Sequence, residues 1–253
     1  VVTGVAAGST TITYTVTTNG CTANAQAVVN VNALPTLAAI GGTMNACIGS
    51  STILTNTTSG GVWTTSNAAV ATVNTITGNV TGVTAGTATI TYTYTNSNGC
   101  TSAVSTTVTI NALPVVAAIT GTTSVCEGAT TTLASTTTGG VWSTANTATA
   151  TINSTTGVVT GVAAGTTTMT YTVTNANGCT SSVSTALVVN AIPQVAAISG
   201  TTEVCVGLTT ALANATASGV WTSSNTAVAT IDASGVVTGV AAGSTTITYT
   251  VTT

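Results

Sequence analysis

Apolar and polar residues alternate most strictly in the segment TTTMTYTVT, in the second half of the chain. Met169, Tyr171 and Val173 share one face of an extended chain, and threonines occupy the positions between them. Because successive side chains of a strand point to opposite faces of its sheet, this alternation predicts a half-buried β-strand. The dipeptide Asn177-Gly178 follows and predicts a hairpin turn, since both residues tolerate a positive φ. The next segment is therefore predicted to return as an antiparallel strand.

The same pattern recurs along the chain at a fixed period. Trp63, Trp142 and Trp221 are evenly spaced, and residues 1–18 recur unchanged as residues 236–253. A long, constant period is the signature of a tandem array. The predicted units are residues 1–34, the C-terminal part of a repeat; 35–113 and 114–192, two complete repeats; and 193–253, a repeat that lacks its last strand.

Each complete repeat is predicted to be an antiparallel β-sandwich of about seven short strands. Apolar residues make up 43% of the chain without a single Phe, and the abundant Val and Thr suit strands better than helices. The predicted class is therefore all-β. The predicted core aromatic residues are Trp63, Trp142, Trp221, Tyr92, Tyr171 and Tyr249. The predicted hairpin turns are Asn19-Gly20, Asn98-Gly99 and Asn177-Gly178.

One long motif supports the same fold. The stretch VWSTANTATATINSTTGVVTGVAAGTTTMTYTV at residues 141–173, with counterparts at 62–94 and 220–251, resembles the bacterial immunoglobulin-like (Ig-like) group 2 domain. The resemblance implies a tandem array of Ig-like sandwiches on a giant secreted or surface protein of Bacteroidetes-type bacteria. It implies no enzymatic activity, because members of the family act as spacers, stalks and adhesive modules.

Six cysteines form two periodic series. One series is Cys47, Cys126 and Cys205, and the other is Cys21, Cys100 and Cys179. The order Cys126, Trp142, Cys179 resembles that of immunoglobulin domains, in which the Trp packs on an inter-sheet disulfide, although here the second Cys lies one strand later. No C-x-x-C motif occurs, so disulfides are favoured over metal thiolates. The equal separation within both complete repeats predicts the pairs Cys47–Cys100 and Cys126–Cys179, formed in an oxidising, extracytoplasmic setting.

Charged residues are almost absent. The chain has no Lys, Arg or His, and its only carboxylate side chains are those of Glu127, Glu203 and Asp232. Binding to nucleic acid or to an anionic membrane surface requires cations, and the apolar runs are too short to span a bilayer. Acid–base catalysis usually needs a titratable pair or triad, which three isolated carboxylates do not supply. We therefore predict no catalytic residues, metal site, cofactor or membrane insertion.

Two functions remain open from the sequence. The first is a structural segment of a secreted bacterial fibre or filament, located outside the cell or on its surface. The second is the stalk or binding region of an adhesin, which would recognise glycan, mineral or ice through threonine rows such as those at residues 89–95 and 168–174. The predicted partner is the protein itself, end to end and possibly in lateral bundles, because its edge strands lack the Lys residues that discourage pairing.

The last repeat raises a separate question. Residues 19–35 have the sequence expected to follow Thr253, because residues 1–18, which precede them, are identical to residues 236–253. Cys205 is therefore predicted to pair with the equivalent of Cys21 in the next copy of the repeat. Two sources of the missing strand stay open, a covalent continuation of the chain and donation by a neighbouring copy.

Overall fold

The computed structural model describes residues 1–252, and Thr253, the end of the predicted unit 193–253, lies outside the described residues. Its regular structure consists of strands. The chain begins with an antiparallel hairpin of β1 (Gly8–Thr18) and β2 (Cys21–Val31), paired along their whole length. Both hairpin strands are almost entirely solvent-exposed, because no second sheet in the described part of the chain covers them.

The segment 35–113 folds into a sandwich of two four-stranded sheets. Its strands are β3 (Gly41–Gly42), β4 (Asn45–Cys47), β5 (Ser51–Thr55), β6 (Val62–Thr65), β7 (Ala71–Val73), β8 (Asn79–Gly82), β9 (Gly86–Thr95) and β10 (Thr101–Asn111). One sheet has the order β3-β5-β8-β7, and the other has the order β4-β10-β9-β6. All pairs are antiparallel except β4 with β10, which is parallel.

The segment 114–192 repeats this arrangement. Its strands are β11 (Thr120–Gly121), β12 (Ser124–Cys126), β13 (Thr130–Ala134), β14 (Val141–Thr144), β15 (Ala150–Ile152), β16 (Val158–Gly161), β17 (Gly165–Thr174) and β18 (Thr180–Asn190). The sheets have the orders β11-β13-β16-β15 and β12-β18-β17-β14. The all-β class and the Ig-like sandwich are thus confirmed. Each of these two sandwiches has eight strands rather than about seven. The reason is that its first edge strand is divided into two short strands, one in each sheet: β3 and β4 in the first sandwich, β11 and β12 in the second.

The last segment contains six strands in its described residues. They are β19 (Ser199–Gly200), β20 (Thr209–Ala213), β21 (Val220–Ser223), β22 (Ala229–Ile231), β23 (Val236–Gly239) and β24 (Ile247–Thr250). One sheet has four strands, in the order β19-β20-β23-β22, whereas the other consists of β21 and β24. As far as residue 252, the second sheet is therefore two strands short of its counterparts in the preceding repeats.

The core of a repeat lies between its two sheets. In the segment 35–113, Leu54, Ile90 and Ile110 are fully buried, and the rings of Trp63 and Tyr92 pack with their centroids 4.6 Å apart. Trp142 and Tyr171 repeat this contact at the same distance in the next sandwich. Trp221 and Tyr249 also keep it, but both are only half-buried, because their sheet is incomplete.

By contacts, the chain divides into two compact units. The first unit comprises Val1–Val116, Thr137–Gly139 and Thr172–Ser182, and the second comprises Ala117–Thr136, Gly140–Tyr171 and Val183–Thr253. The loop between β17 and β18 therefore belongs to the same compact unit as the sandwich that precedes it in sequence.

Candidate functional site

Two of the three carboxylate side chains accept hydrogen bonds from nearby backbone N–H groups. Within residues 1–252, no group of three His, Cys, Asp or Glu side chains could hold a metal ion. Glu127 accepts a hydrogen bond from the Ala164 backbone N–H at 2.7 Å, which fixes one loop against another. Asp232 accepts hydrogen bonds from Ser234 and Val236, and these bonds, the Ser234 hydroxyl foremost, hold the pKa of its carboxyl below the usual value. Both residues thus have local structural roles.

The candidate site is the junction at which one repeat meets the next. Cys47 and Cys179 form a disulfide with their Cα atoms 5.6 Å apart, although 132 residues separate them in the sequence. Both belong to the first compact unit. Cys47 ends β4 in the segment 35–113, and Cys179 lies just before β18 in the segment 114–192. The bond therefore links two consecutive repeats covalently.

The predicted pairs Cys47–Cys100 and Cys126–Cys179 are wrong. The parallel register places Cys47 opposite Asn111, the last residue of β10, whereas Cys100 directly precedes the first residue of that strand. About eleven residues at ~3.3 Å each separate the two ends, or roughly 35 Å. A disulfide requires Cα atoms within about 7 Å. Cys126 likewise lies opposite Asn190, at the far end of β18 from Cys179.

A hydrogen-bonded loop brings Cys179 to the junction. The side-chain oxygen of Asn175 accepts hydrogen bonds from the backbone N–H groups of Asn177 and Cys179, both at 3.0 Å. The amide group of the same Asn175 side chain donates to the Ala112 carbonyl oxygen at 2.9 Å. The Sγ atom of Cys179 lies 4.0 Å from the Asn111 carbonyl oxygen. The loop is thus folded by its own asparagine and attached to the linker between the repeats.

The same contacts occur one repeat earlier. Asn96 folds its loop by accepting hydrogen bonds from the backbone N–H groups of Asn98 and Cys100, and it donates to the Ala33 carbonyl oxygen at 3.2 Å. The Sγ atom of Cys100 lies 3.8 Å from the Asn32 carbonyl oxygen. In both repeats, therefore, the hairpin loop packs on the linker that enters its own repeat. This packing directs the hairpin cysteine toward the preceding repeat.

The predicted hairpin turns take two forms. Asn19 and Gly20, with φ of 49° and 84°, form the two-residue turn between β1 and β2. Asn98-Gly99 and Asn177-Gly178 instead end longer loops, in which only the glycines have positive φ, at 78° and 77°. The longer loops begin at Asn96 and Asn175, which the sequence analysis did not single out. Their signal was the recurring asparagine two positions before each Asn-Gly pair.

The other four cysteines are unpaired in the structure. Cys21, Cys126 and Cys205 are exposed, and Cys100 is half-buried. Cys126 occupies in its repeat the position that Cys47 occupies in the one before, because each lies opposite the last residue of the neighbouring parallel strand. The predicted pairing of Cys205 with the equivalent of Cys21, like the predicted Cys47–Cys100 pair, joins two cysteines of one repeat. The observed bond instead joins cysteines of two neighbouring repeats.

Residues 50–108 and 187–253 match the family model of the bacterial Ig-like domain (group 2). The chain is a tandem array of bacterial Ig-like domains of group 2. Their all-β fold is typical of structural and adhesive domains rather than of enzymes. None of the curated proteins matches this sequence. No helix in the described part of these Ig-like repeats is long and apolar enough to cross a membrane.

Three solved structures are among those similar to this chain. A C-terminal 282-residue fragment of intimin, bound to the intimin-binding domain of its translocated receptor, is 16% identical, with a TM-score of 0.33 over 68% of this chain and 69% of that one. The S-layer protein rSbsC is 17% identical, with a TM-score of 0.28 over 96% and 43%. A Ca2+-stabilized adhesin that helps an Antarctic bacterium bind ice is 13% identical, with a TM-score of 0.36 over 95% and 80%.

Proposed function

We propose that the chain is a structural segment of an extracellular bacterial surface fibre whose consecutive Ig-like repeats are joined covalently by disulfides. The observation that carries the proposal is the Cys47–Cys179 bond, which links the exit end of one repeat to the hairpin loop of the next. Disulfides form and persist in oxidising compartments, so this bond favours a location outside the cytoplasm. The assignment to Bacteroidetes-type bacteria stays a prediction.

The bond limits how far the chain extends under tension. Force applied to the two ends of the chain passes through the Cys47–Cys179 bond. The chain between the two cysteines, which are 132 positions apart, therefore remains unextended even if both repeats unfold. An extended chain spans at most ~3.6 Å per residue, so the bond withholds about 475 Å of length. A fibre built in this way stays short and continuous after a repeat unfolds.

Single-molecule pulling tests this function. The chain is stretched between its ends with and without a reductant, and reduction is expected to add about 475 Å to the final contour length. The double variant Cys47→Ser/Cys179→Ser should show the full length without reductant, whereas Cys100→Ser should behave like the unsubstituted chain. An identical contour length under both conditions would show that the bond does not carry tension, and would contradict the proposal.

Adhesion is the second candidate function, and the threonine rows favour it. Thr89 and Thr95 are exposed on β9, on the outer face of its sheet. The hydroxyls of the row are partly engaged within the sheet, however, because Thr91 bonds Ser105 and Thr95 bonds Thr101, both at 2.9 Å. This internal pairing supports a structural role for the row. Binding of the purified chain to ice, mineral or glycan surfaces that is lost in Thr89→Val would favour adhesion instead.

A further inference from the structure

The Cys47–Cys179 bond is not the pairing that chain entropy favours. Closing a loop costs more as the loop lengthens, so in an unfolded chain Cys179 meets a near cysteine more readily than one 132 positions away. Cys126 and Cys205 both stand nearer to Cys179 in the sequence, and both are exposed. The observed pairing therefore requires a contact of the folded chain that selects the distant partner.

Asn175 makes such a contact with both polar atoms of its side chain. The Oδ1 atom accepts a hydrogen bond from the Cys179 backbone N–H at 3.0 Å, and the Nδ2 atom donates to the Ala112 carbonyl oxygen at 2.9 Å. Ala112 directly follows Asn111, which lies opposite Cys47 in the parallel register of β4 with β10. One side chain thus holds the Cys179 loop beside the strand end that carries Cys47.

The docked loop also shields its cysteine from other partners. The Gly178 N–H donates to the Asn175 carbonyl oxygen, and the Asn175 N–H donates to the Cys179 carbonyl oxygen, both at 3.0 Å. These bonds close the loop around Cys179, which is only 1% exposed. A cysteine on another surface of the chain therefore has no approach to the Cys179 sulfur while the loop is docked, whereas Cys47 at the junction does.

The same docking occurs in the preceding repeat without a disulfide. Asn96 accepts a hydrogen bond from the Cys100 backbone N–H at 3.0 Å and donates to the Ala33 carbonyl oxygen at 3.2 Å. The Sγ atom of Cys100 lies 3.8 Å from the Asn32 carbonyl oxygen, although Cys100 is unpaired. Docking of the loop on its linker therefore does not depend on a disulfide, and the asparagine contacts are present where no bond holds the loop.

We propose that Asn175 is the positioning residue that selects Cys47 as the partner of Cys179, through its hydrogen bond to the Ala112 carbonyl oxygen. The proposal rests on the proposed function, because it concerns how the bond between the repeats forms. Asn175 acts through the loop rather than on a sulfur atom. It docks the loop before oxidation, so that the two thiols meet at a high effective concentration.

The covalent step is a thiol–disulfide exchange with an external disulfide, such as oxidised glutathione. The thiolate of one cysteine attacks the external disulfide and releases one thiol. The thiolate of the other cysteine then attacks the mixed disulfide and releases the second thiol. Two protein thiols are oxidised, and one external disulfide is reduced to two thiols. The equilibrium constant of this exchange increases with the effective concentration of the two protein thiols, which is the quantity that Asn175 is proposed to raise.

The equilibrium constant tests the positioning role. It is measured in glutathione buffers on the full chain with the four unpaired cysteines replaced by serine, so that a single pair remains. Asn175→Ala should lower the constant about tenfold, which raises the reduction potential of the pair by about 30 mV. Asn175→Asp keeps an acceptor for the loop but has no donor for the Ala112 carbonyl oxygen, and should lower the constant similarly. The matched control Asn96→Ala should leave it unchanged.

Partner selection is tested with all six cysteines in place. The reduced chain is refolded with oxidised glutathione and digested with pepsin at acid pH, where thiols are protonated and exchange stops. Mass spectrometry then identifies the linked peptides. In the unsubstituted chain, Cys179 should be linked mainly to Cys47. Asn175→Ala should shift Cys179 toward the cysteines that are nearer in the sequence, whereas Asn96→Ala should keep the unsubstituted pattern.

Three outcomes overturn the proposal. The first is an equilibrium constant and a pairing pattern that Asn175→Ala leaves unchanged. The second is an equal effect of Asn96→Ala, which would mean that these asparagines support folding in general. The third is an Asn175→Asp variant with the constant of the unsubstituted chain, which would exclude the Ala112 contact. Circular dichroism checks that each variant keeps its strand content.

These results are distinguishable from a failure of the proposed function. If Asn175 has no effect, the Cys47–Cys179 bond still forms in the unsubstituted chain, and the contour-length test still measures whether that bond carries tension. If instead the unsubstituted chain yields no peptide pair linked through Cys47 and Cys179, the proposed function and the role of Asn175 are both contradicted.

Discussion

Tyr92 and Gly61 are joined by a hydrogen bond, in which the Gly61 backbone N–H donates to the phenolic oxygen of Tyr92 at 2.8 Å. The Tyr92 hydroxyl in turn donates to the Thr58 carbonyl oxygen. A Cβ atom at position 61 would lie 2.4 Å from the tyrosine ring, so only glycine fits against it. One buried tyrosine thus holds a surface loop against the central strand of its sheet.

Tyr92→Phe should destabilise the sandwich by about 1–3 kcal/mol, because it removes two hydrogen bonds and leaves partly buried backbone groups without a partner. Tyr14→Phe is the matched control. Tyr14 has the same place in the repeat pattern but is 71% exposed, and its substitution should change the free energy of unfolding by less than about 0.5 kcal/mol. Denaturant titrations of both variants measure the difference. If Tyr92→Phe and Tyr14→Phe change the free energy of unfolding equally, the hydrogen bonds between Tyr92 and the loop do not stabilise the sandwich.

The strand pattern was predictable because it depends on residues that are close in sequence. The alternation in TTTMTYTVT correctly placed Met169, Tyr171 and Val173 on the buried face of β17. The repeat period carried the same prediction to the other sandwiches. The division of the first edge strand into two short strands, one in each sheet, was not predicted. Strands of only two or three residues are too short to show an alternation of apolar and polar positions.

The disulfide pairing was not predictable from spacing. In a periodic chain the separation between the two cysteine series is constant within a repeat and equally constant between neighbouring repeats. The observed separation of 132 residues therefore fits the sequence as well as the shorter one within a repeat. The choice depends on which end of the sandwich each cysteine occupies. That position is set by the parallel register of β4 with β10 and by the contact of Asn175 with the linker at Ala112, both of which are tertiary features.

Breaking the Cys47–Cys179 bond should lower the free energy of unfolding by roughly 5 kcal/mol in the loop-entropy model, since the bond closes a loop of 132 residues. The double variant Cys47→Ser/Cys179→Ser removes the bond without leaving a free thiol, and denaturant titration measures its stability. Cys100→Ser is the control and should be near neutral, because Cys100 is unpaired. A large loss of stability in Cys100→Ser would instead support the predicted Cys47–Cys100 pair within one repeat.

Ile90→Ala should destabilise the chain by about 2–5 kcal/mol, because Ile90 is fully buried between the sheets and its truncation leaves a cavity. Ile12 is its repeat equivalent and is 40% exposed in the hairpin, so Ile12→Ala should cost much less. Thermal unfolding of both variants gives the comparison. Similar losses would mean that the hairpin is covered by another sheet in solution.

Sodium chloride should have little effect on stability. The chain has three carboxylates and no basic side chain, so few charge pairs exist for salt to screen. The melting temperature should therefore stay nearly constant from low to moderate ionic strength. Sulfate serves as the contrast, because it strengthens apolar burial by exclusion from the surface and should raise the melting temperature. A marked change with chloride would contradict this prediction.

Asp232 should give the last segment a small dependence of stability on pH. The folded state holds the pKa of its carboxyl below the usual value, first through the Ser234 hydroxyl and then through the Val236 N–H. Because the folded pKa is the lower one, the stabilisation is present above the ordinary carboxyl pKa. It is lost as the pH falls through the folded value.

Two variants separate the causes of this effect. Asp232→Asn should remove the dependence and keep the turn, because Asn74 and Asn153, in the corresponding turns of the other repeats, accept hydrogen bonds from the backbone N–H groups two and three residues further on. Ser234→Ala should return the pKa of Asp232 toward its ordinary value, since it removes the hydroxyl donor. NMR titration of the Asp232 carboxyl carbon measures the pKa directly. An unchanged pKa in Ser234→Ala would mean that the backbone N–H groups alone hold the carboxylate in its ionised form.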